Sequence, residues 1–106
     1  MDIIEIKQRT LRVRDELQEL GIQFDGAVLF GSYAKGNFTP QSDVDIAIVS
    51  KHFGFNSLKE GALLNRIAYK VFPQAEILAI PLKEYLDTNS ISPILHEIKK
   101  TGVFLF

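Results

Sequence analysis

The sequence predicts an α/β (α+β) domain with a small mixed β-sheet and flanking helices. Three observations predict it. Short apolar runs at 27–30 (AVLF), 44–49 (VDIAIV) and 75–80 (AEILAI) have strand length and alternate with segments of helical spacing. Ten residues lie between Ser32 and Asp43. They can bring the end of the first strand beside the start of the second only if those strands are antiparallel neighbours. A helical stretch joins the second strand to the third, where a parallel crossover is natural.

Each element follows from local chemistry. Asp2 can cap a helix running to Leu20, with Ile6, Val13, Leu17 and Leu20 roughly on one face and Gly21 at the C-terminal end. The pair Asp25-Gly26 introduces the strand Ala27 to Phe30, and Gly31-Ser32 opens a helical turn. The next strand, Asp43 to Val49, places Asp43, Asp45, Ala47 and Val49 on one face, and Val44, Ile46 and Ile48 on the other. Ser57 and Glu60 form an S-x-x-E capping-box pattern before a helix that carries Leu58, Leu63, Leu64, Ile67 and Val71 and ends at Pro73. The strand Ala75 to Ile80 sets Glu76, Leu78 and Ile80 on one face and stops at Pro81. Helices over Leu82 to Asp87 and Pro93 to Lys100 follow, the latter with Gly102 at its end. The tail VFLF reads as a short strand or an apolar plug.

Composition narrows the function. A chain of 106 residues with 46% hydrophobic content can bury a core, and it is expected to form a single domain over residues 1–106. Twelve basic residues against 13 acidic ones leave a net charge of −1, so there is no strong sign of polynucleotide binding. A single bound nucleotide remains compatible with that balance. The absence of cysteine removes disulfides, thiolate catalysis and Cys-type zinc. MDIIEIKQRT has no basic segment leading a long apolar block, and no run approaches the roughly 20 apolar residues of a membrane span. The expectation is a soluble, cytoplasmic protein with no membrane partner.

The chemistry concentrates in GSYAKGNFTPQSDVD, residues 31–45. Asp43 and Asp45 are two apart on a strand, so their carboxylates leave one face and repel each other unless a cation neutralises them. Hard divalent cations such as Mg²⁺ take oxygen ligands, and pairs of such ions serve phosphoryl transfer. Gly31 lets backbone approach a phosphate, and Ser32 offers a hydroxyl beside the amides of a helix start. Ser42 reads as a turn-shaping hydroxyl and Tyr33 as a packing or rim aromatic. His52 and His96 have no partner at ligand spacing and read as loop and helix-surface residues. Phe53, Phe55 and Phe72 read as core or interface, and Arg9, Arg12 and Arg14 as a modest basic patch on a solvated helix face.

LFGSYAKGNFTPQSDVDIAIV resembles the nucleotidyltransferase signature of the DNA polymerase beta superfamily. The match is an apolar strand, Gly-Ser, about ten residues, then Asp-x-Asp in a strand. The short chain is similar to the minimal nucleotidyltransferase branch, and the resemblance implies a polymerase beta palm-like fold. It further implies transfer of a nucleoside monophosphate from an NTP, usually ATP, with two Mg²⁺ ions as the family's metal. Gly31 and Ser32 would hold the triphosphate, and Lys35 would contact the γ-phosphate. Asp43 and Asp45 would ligate metal, completed by a third carboxylate for which the candidate is Glu76, where many members have Asp.

The resemblance also implies a partner. In the minimal branch the transferase neutralises a HEPN-domain toxin by adenylylating it, so the chain would act as an antitoxin. The alternatives are a non-catalytic antitoxin or assembly subunit, which the Glu at position 76 favours, and a small-molecule transferase of the aminoglycoside-modifying type. The apolar tail and Phe-rich loop also allow a homodimer.

Overall fold

The computed structural model describes residues 1–106. Its elements in chain order are α1 (Ile3–Glu19), β1 (Gly26–Phe30), α2 (Gly31–Lys35), β2 (Val44–Ser50), α3 (Ser57–Val71), β3 (Ala75–Pro81), α4 (Leu82–Leu86), α5 (Pro93–Thr101) and β4 (Val103–Phe104). The four strands form one sheet in the order β3-β2-β1-β4. As expected, β1 and β2 are antiparallel, and β2 and β3 are parallel across the α3 crossover. The mixed sheet with flanking helices therefore stands.

Alternation along the strands creates two cores. Val44, Ile46 and Ile48 point to the face covered by α1 and α3, where they pack with Ile6, Val13, Leu17, Leu64, Ile67 and the fully buried Phe72. Burying each such side chain stabilises the fold by about 1.5–3 kcal/mol before ordering costs. Ala47 and Val49 point to the opposite face, where Leu95 and Ile98 of α5 close a smaller core with Val28 and Ile80. That second face also carries Asp45 and Glu76.

The helix ends show what the local sequence specified. The Asp2 carboxylate accepts from the Glu5 amide at 2.8 Å, and Gly21 follows α1 with a left-handed φ of 75°. Leu20 departs from the expected apolar face and is 58% exposed, because the chain turns away at the C-cap. Thr10 takes the missing place in the buried stripe, satisfying its hydroxyl on the Ile6 carbonyl at 2.7 Å.

At α3 the capping box is displaced by one residue. Asn56, not Ser57, caps the helix, accepting from the Lys59 amide at 3.1 Å. Glu60 reaches back to the Gly54, Phe55 and Asn56 amides at 2.9, 3.1 and 3.1 Å. Desolvation pulls the Glu60 carboxyl up, but these three donors outweigh it and hold it below its ordinary value. Leu58, on the same first turn, faces solvent.

The C-terminal tail is both of the things expected of it. Val103 and Phe104 pair with β1, and Leu105 plugs the larger core. Gly102 ends α5 with an extended φ of −68°, not a left-handed one; its side would otherwise meet the Ile98 carbonyl and the Val28 methyl. No helix is long and apolar enough to cross a membrane.

Candidate active site

Of the candidate residues, Gly31, Asp45 and Glu76 meet at one end of the sheet, whereas Ser32, Lys35 and Asp43 do not line the cleft there. In the ladders, Asp45 lies opposite Phe30 on β1 and opposite Glu76 on β3. Paired residues share a face, so both carboxylates project to the α5 side. The chain leaves β1 at Phe30 and enters α2 at Gly31, which brings the Gly-Ser turn over the same edge. Phe30, Gly31, Asp45, Glu76, Ile94 and Glu97 line an open cleft of about 390 Å³, together with Ile77 and Leu78.

Gly31 has a φ of 70°, and a Cβ built on it would overlap the Asp45 Oδ2. Backbone conformation and space thus both demand glycine here. Ser32 stands in the first turn of α2, and its carbonyl accepts from the Gly36 and Asn37 amides as the helix closes on the left-handed Gly36. Ser32 is half-buried but outside the lining of the cleft.

Asp43 stands one residue ahead of β2 and is exposed, whereas the alternation pattern put it inside the strand. The turn before it is built as expected: Ser42 Oγ accepts from the Thr39 amide at 2.8 Å. Burial pushes the Asp45 carboxyl above its ordinary value, and the charges of Glu76, Asp43 and Glu97 push it further the same way. An acidic cluster of this kind suits a hard cation, since all its donors are oxygens. Even so, no three acid or histidine side chains converge into a ready ligand set.

Lys35 does not point freely into the cleft. Its Nζ donates to Glu97 Oε1 at 2.6 Å, tying α2 to α5. The two histidines are structural: His52 Nδ1 accepts from the Gln23 amide at 2.9 Å, and His96 Nε2 bonds the Ser90 carbonyl at 2.7 Å. Phe53 and Phe72 belong to the core, Phe55 is 86% exposed, and Tyr33 stacks on Phe38 with centroids 4.2 Å apart. Of the basic patch, Arg9 pairs with Glu5 and Arg14 with Asp15, leaving Arg12 exposed.

A family model described as a nucleotidyltransferase domain matches residues 11–102. The chain belongs to the nucleotidyltransferase domain family. A Methanocaldococcus jannaschii protein named as a candidate protein adenylyltransferase is 33% identical over 105 residues, covering 97% of this chain and 98% of the relative. Among solved structures, a crystal structure of a toxin-antitoxin with AMP-PNP superposes with a TM-score of 0.58 at 20% identity. It covers 94% of this chain and 72% of the other, and at that identity it supports the fold.

Two residues of this nucleotidyltransferase that bear on the cleft were not singled out in the sequence. Glu97 reaches it because Ile94 and Glu97 are one helical turn apart on α5, a placement that depends on how α5 docks. Asn65 on α3 acts on the outer edge of β3: its Oδ1 accepts from the Ile77 amide at 3.0 Å and its Nδ2 donates to the Ile77 carbonyl at 2.8 Å. This side chain stands in for a neighbouring strand at the residue next to Glu76. An asparagine in an amphipathic helix carries no linear signal of such a role.

Proposed function

We propose that the nucleotidyltransferase transfers AMP from ATP to a hydroxyl on a protein partner, in a reaction that depends on divalent metal. The observation that carries this reading is the side-by-side placement of Asp45 and Glu76 beside Gly31, whose side must stay bare for Asp45. Asp43, Asp45 and Glu76 would hold the metal, two Mg²⁺ ions on the family pattern. Gly31, Ser32 and Lys35 would hold the triphosphate. When bound, the cations neutralise phosphate charge and polarise the α-phosphorus. The acceptor oxygen forms a bond to that phosphorus, the bond to the α,β-bridging oxygen breaks, pyrophosphate leaves, and the hydroxyl proton passes to water or a cleft carboxylate.

Similarity to the Methanocaldococcus jannaschii protein named as a protein adenylyltransferase supports protein as the acceptor, and the fold shared with the toxin-antitoxin solved with AMP-PNP supports an antitoxin role with ATP as donor. A HEPN-domain toxin is the partner we infer, in the cytoplasm. Labelled ATP with Mg²⁺ should then mark a co-expressed HEPN-type protein, and the Asp43→Asn, Asp45→Asn double variant should not.

A second reading is favoured by one residue: position 76 is Glu, where many members of the family have Asp. On that reading the chain binds nucleotide or partner without turnover. Toxin neutralisation that survives the double Asn variant would select it.

A further inference from the structure

None of the side chains lining the cleft is cationic. The nearest candidate for meeting phosphate, Lys35, is already committed to Glu97 at 2.6 Å. Glu97 also lines the cleft and adds its charge to those of Glu76 and Asp43 around Asp45. We propose that Glu97 is a specificity-determining positioning residue: by holding Lys35 in an ion pair at the cleft, it disfavours entry of metal-free nucleotide relative to nucleotide that arrives with a cation. The proposal rests on the reading of this cleft as the triphosphate site.

The physical basis is competition for one ammonium. A triphosphate arriving alone meets several carboxylates and a lysine whose charge is spent on Glu97. A triphosphate arriving with divalent metal brings the missing positive charge, and its oxygens can then take Lys35 from Glu97. The side chains of Lys35 and Glu97 are 43% and 34% exposed, so the pair is a weak latch that resists displacement by about two- to fivefold. The pair also joins the helix that begins at Gly31 to α5, which lines the cleft through Ile94 and Glu97.

The test measures AMP-PNP binding to the full chain, with Mg²⁺ and with EDTA. Glu97→Gln should tighten metal-free binding about three- to fivefold, with a smaller gain in Mg²⁺. Glu97→Ala should do the same, which covers a failure of the first variant to fold. In a Lys35→Met background the gain should vanish, because no lysine is left to release. Unchanged or weaker metal-free binding in both Glu97 variants overturns the proposal. So does a gain that persists without Lys35, which would mean simple removal of a repulsive charge. If the unsubstituted protein fails to bind AMP-PNP even with Mg²⁺, the triphosphate reading falls and this inference with it. Binding with Mg²⁺ combined with inert Glu97 variants sinks the inference alone.

Discussion

Gly31 and Asp45 occupy each other's space: the carboxylate of Asp45 fills the volume where a Cβ of Gly31 would stand, with Cγ only 3.1 Å from that position. The turn that would receive phosphate and the acid that would receive metal are therefore one unit. Gly31→Ala should destabilise the fold by about 1–2 kcal/mol from the left-handed backbone alone, more if Asp45 is displaced. It should also abolish nucleotide binding. A thermal melt and an AMP-PNP titration check both parts, and unaltered binding in the variant would separate the two residues functionally.

Asp45 should make the metal-free protein sensitive to pH. Its folded pKa is raised, so the protonated form contributes stability that is complete below the ordinary value of 3.8 and lost as pH rises through the raised value. Asp45→Asn mimics the protonated state and should melt at a higher temperature than the unsubstituted protein at pH 7 without metal. Saturating Mg²⁺ should raise the melting temperature of the unsubstituted chain by mass action and leave Asp45→Asn nearly unmoved. Equal Mg²⁺ shifts in both would remove Asp45 from the metal site.

Glu60 has the opposite sign. Its folded pKa is lowered by the three loop amides, so its contribution is present above the ordinary value of 4.5 and lost as pH falls through the lowered value. Glu60→Gln should flatten that acid limb of the stability curve and loosen the loop at 54–56. Amide exchange at Gly54, Phe55 and Asn56 reads the loosening directly, and protection equal to that of the unsubstituted protein would count against it.

Glu76 decides between turnover and binding alone. Glu76→Asp, which restores the residue many family members carry, should keep labelling of the acceptor within about tenfold. Glu76→Ala should lose about 100-fold or more if the carboxyl takes part in the reaction. Indifference to both substitutions, with binding intact, would point to the non-catalytic reading.

Much of the fold was legible because its signals are local. The alternation along 43 to 49 was enough to separate Ala47 and Val49 from Val44, Ile46 and Ile48, and the two faces indeed build two different cores. Strand directions followed from connection lengths. Misreadings fell where two local groups compete: Asn56 beside Ser57 for one cap, and Asp43 at the boundary between turn and strand. Neither boundary is set by periodicity, since each depends on which hydrogen bond closes first.

The sequence by itself determined the strand faces, the Gly31-Ser32 turn and the identity of the acids Asp43, Asp45 and Glu76, because period and turn chemistry act over a few residues. Tertiary structure alone decided that Glu76 sits directly beside Asp45, that Glu97 enters from α5 to hold Lys35, and that Asn65 braces the strand edge next to Glu76. Those contacts join residues far apart in the chain, and strand register and helix docking set them through the shape of the packed core.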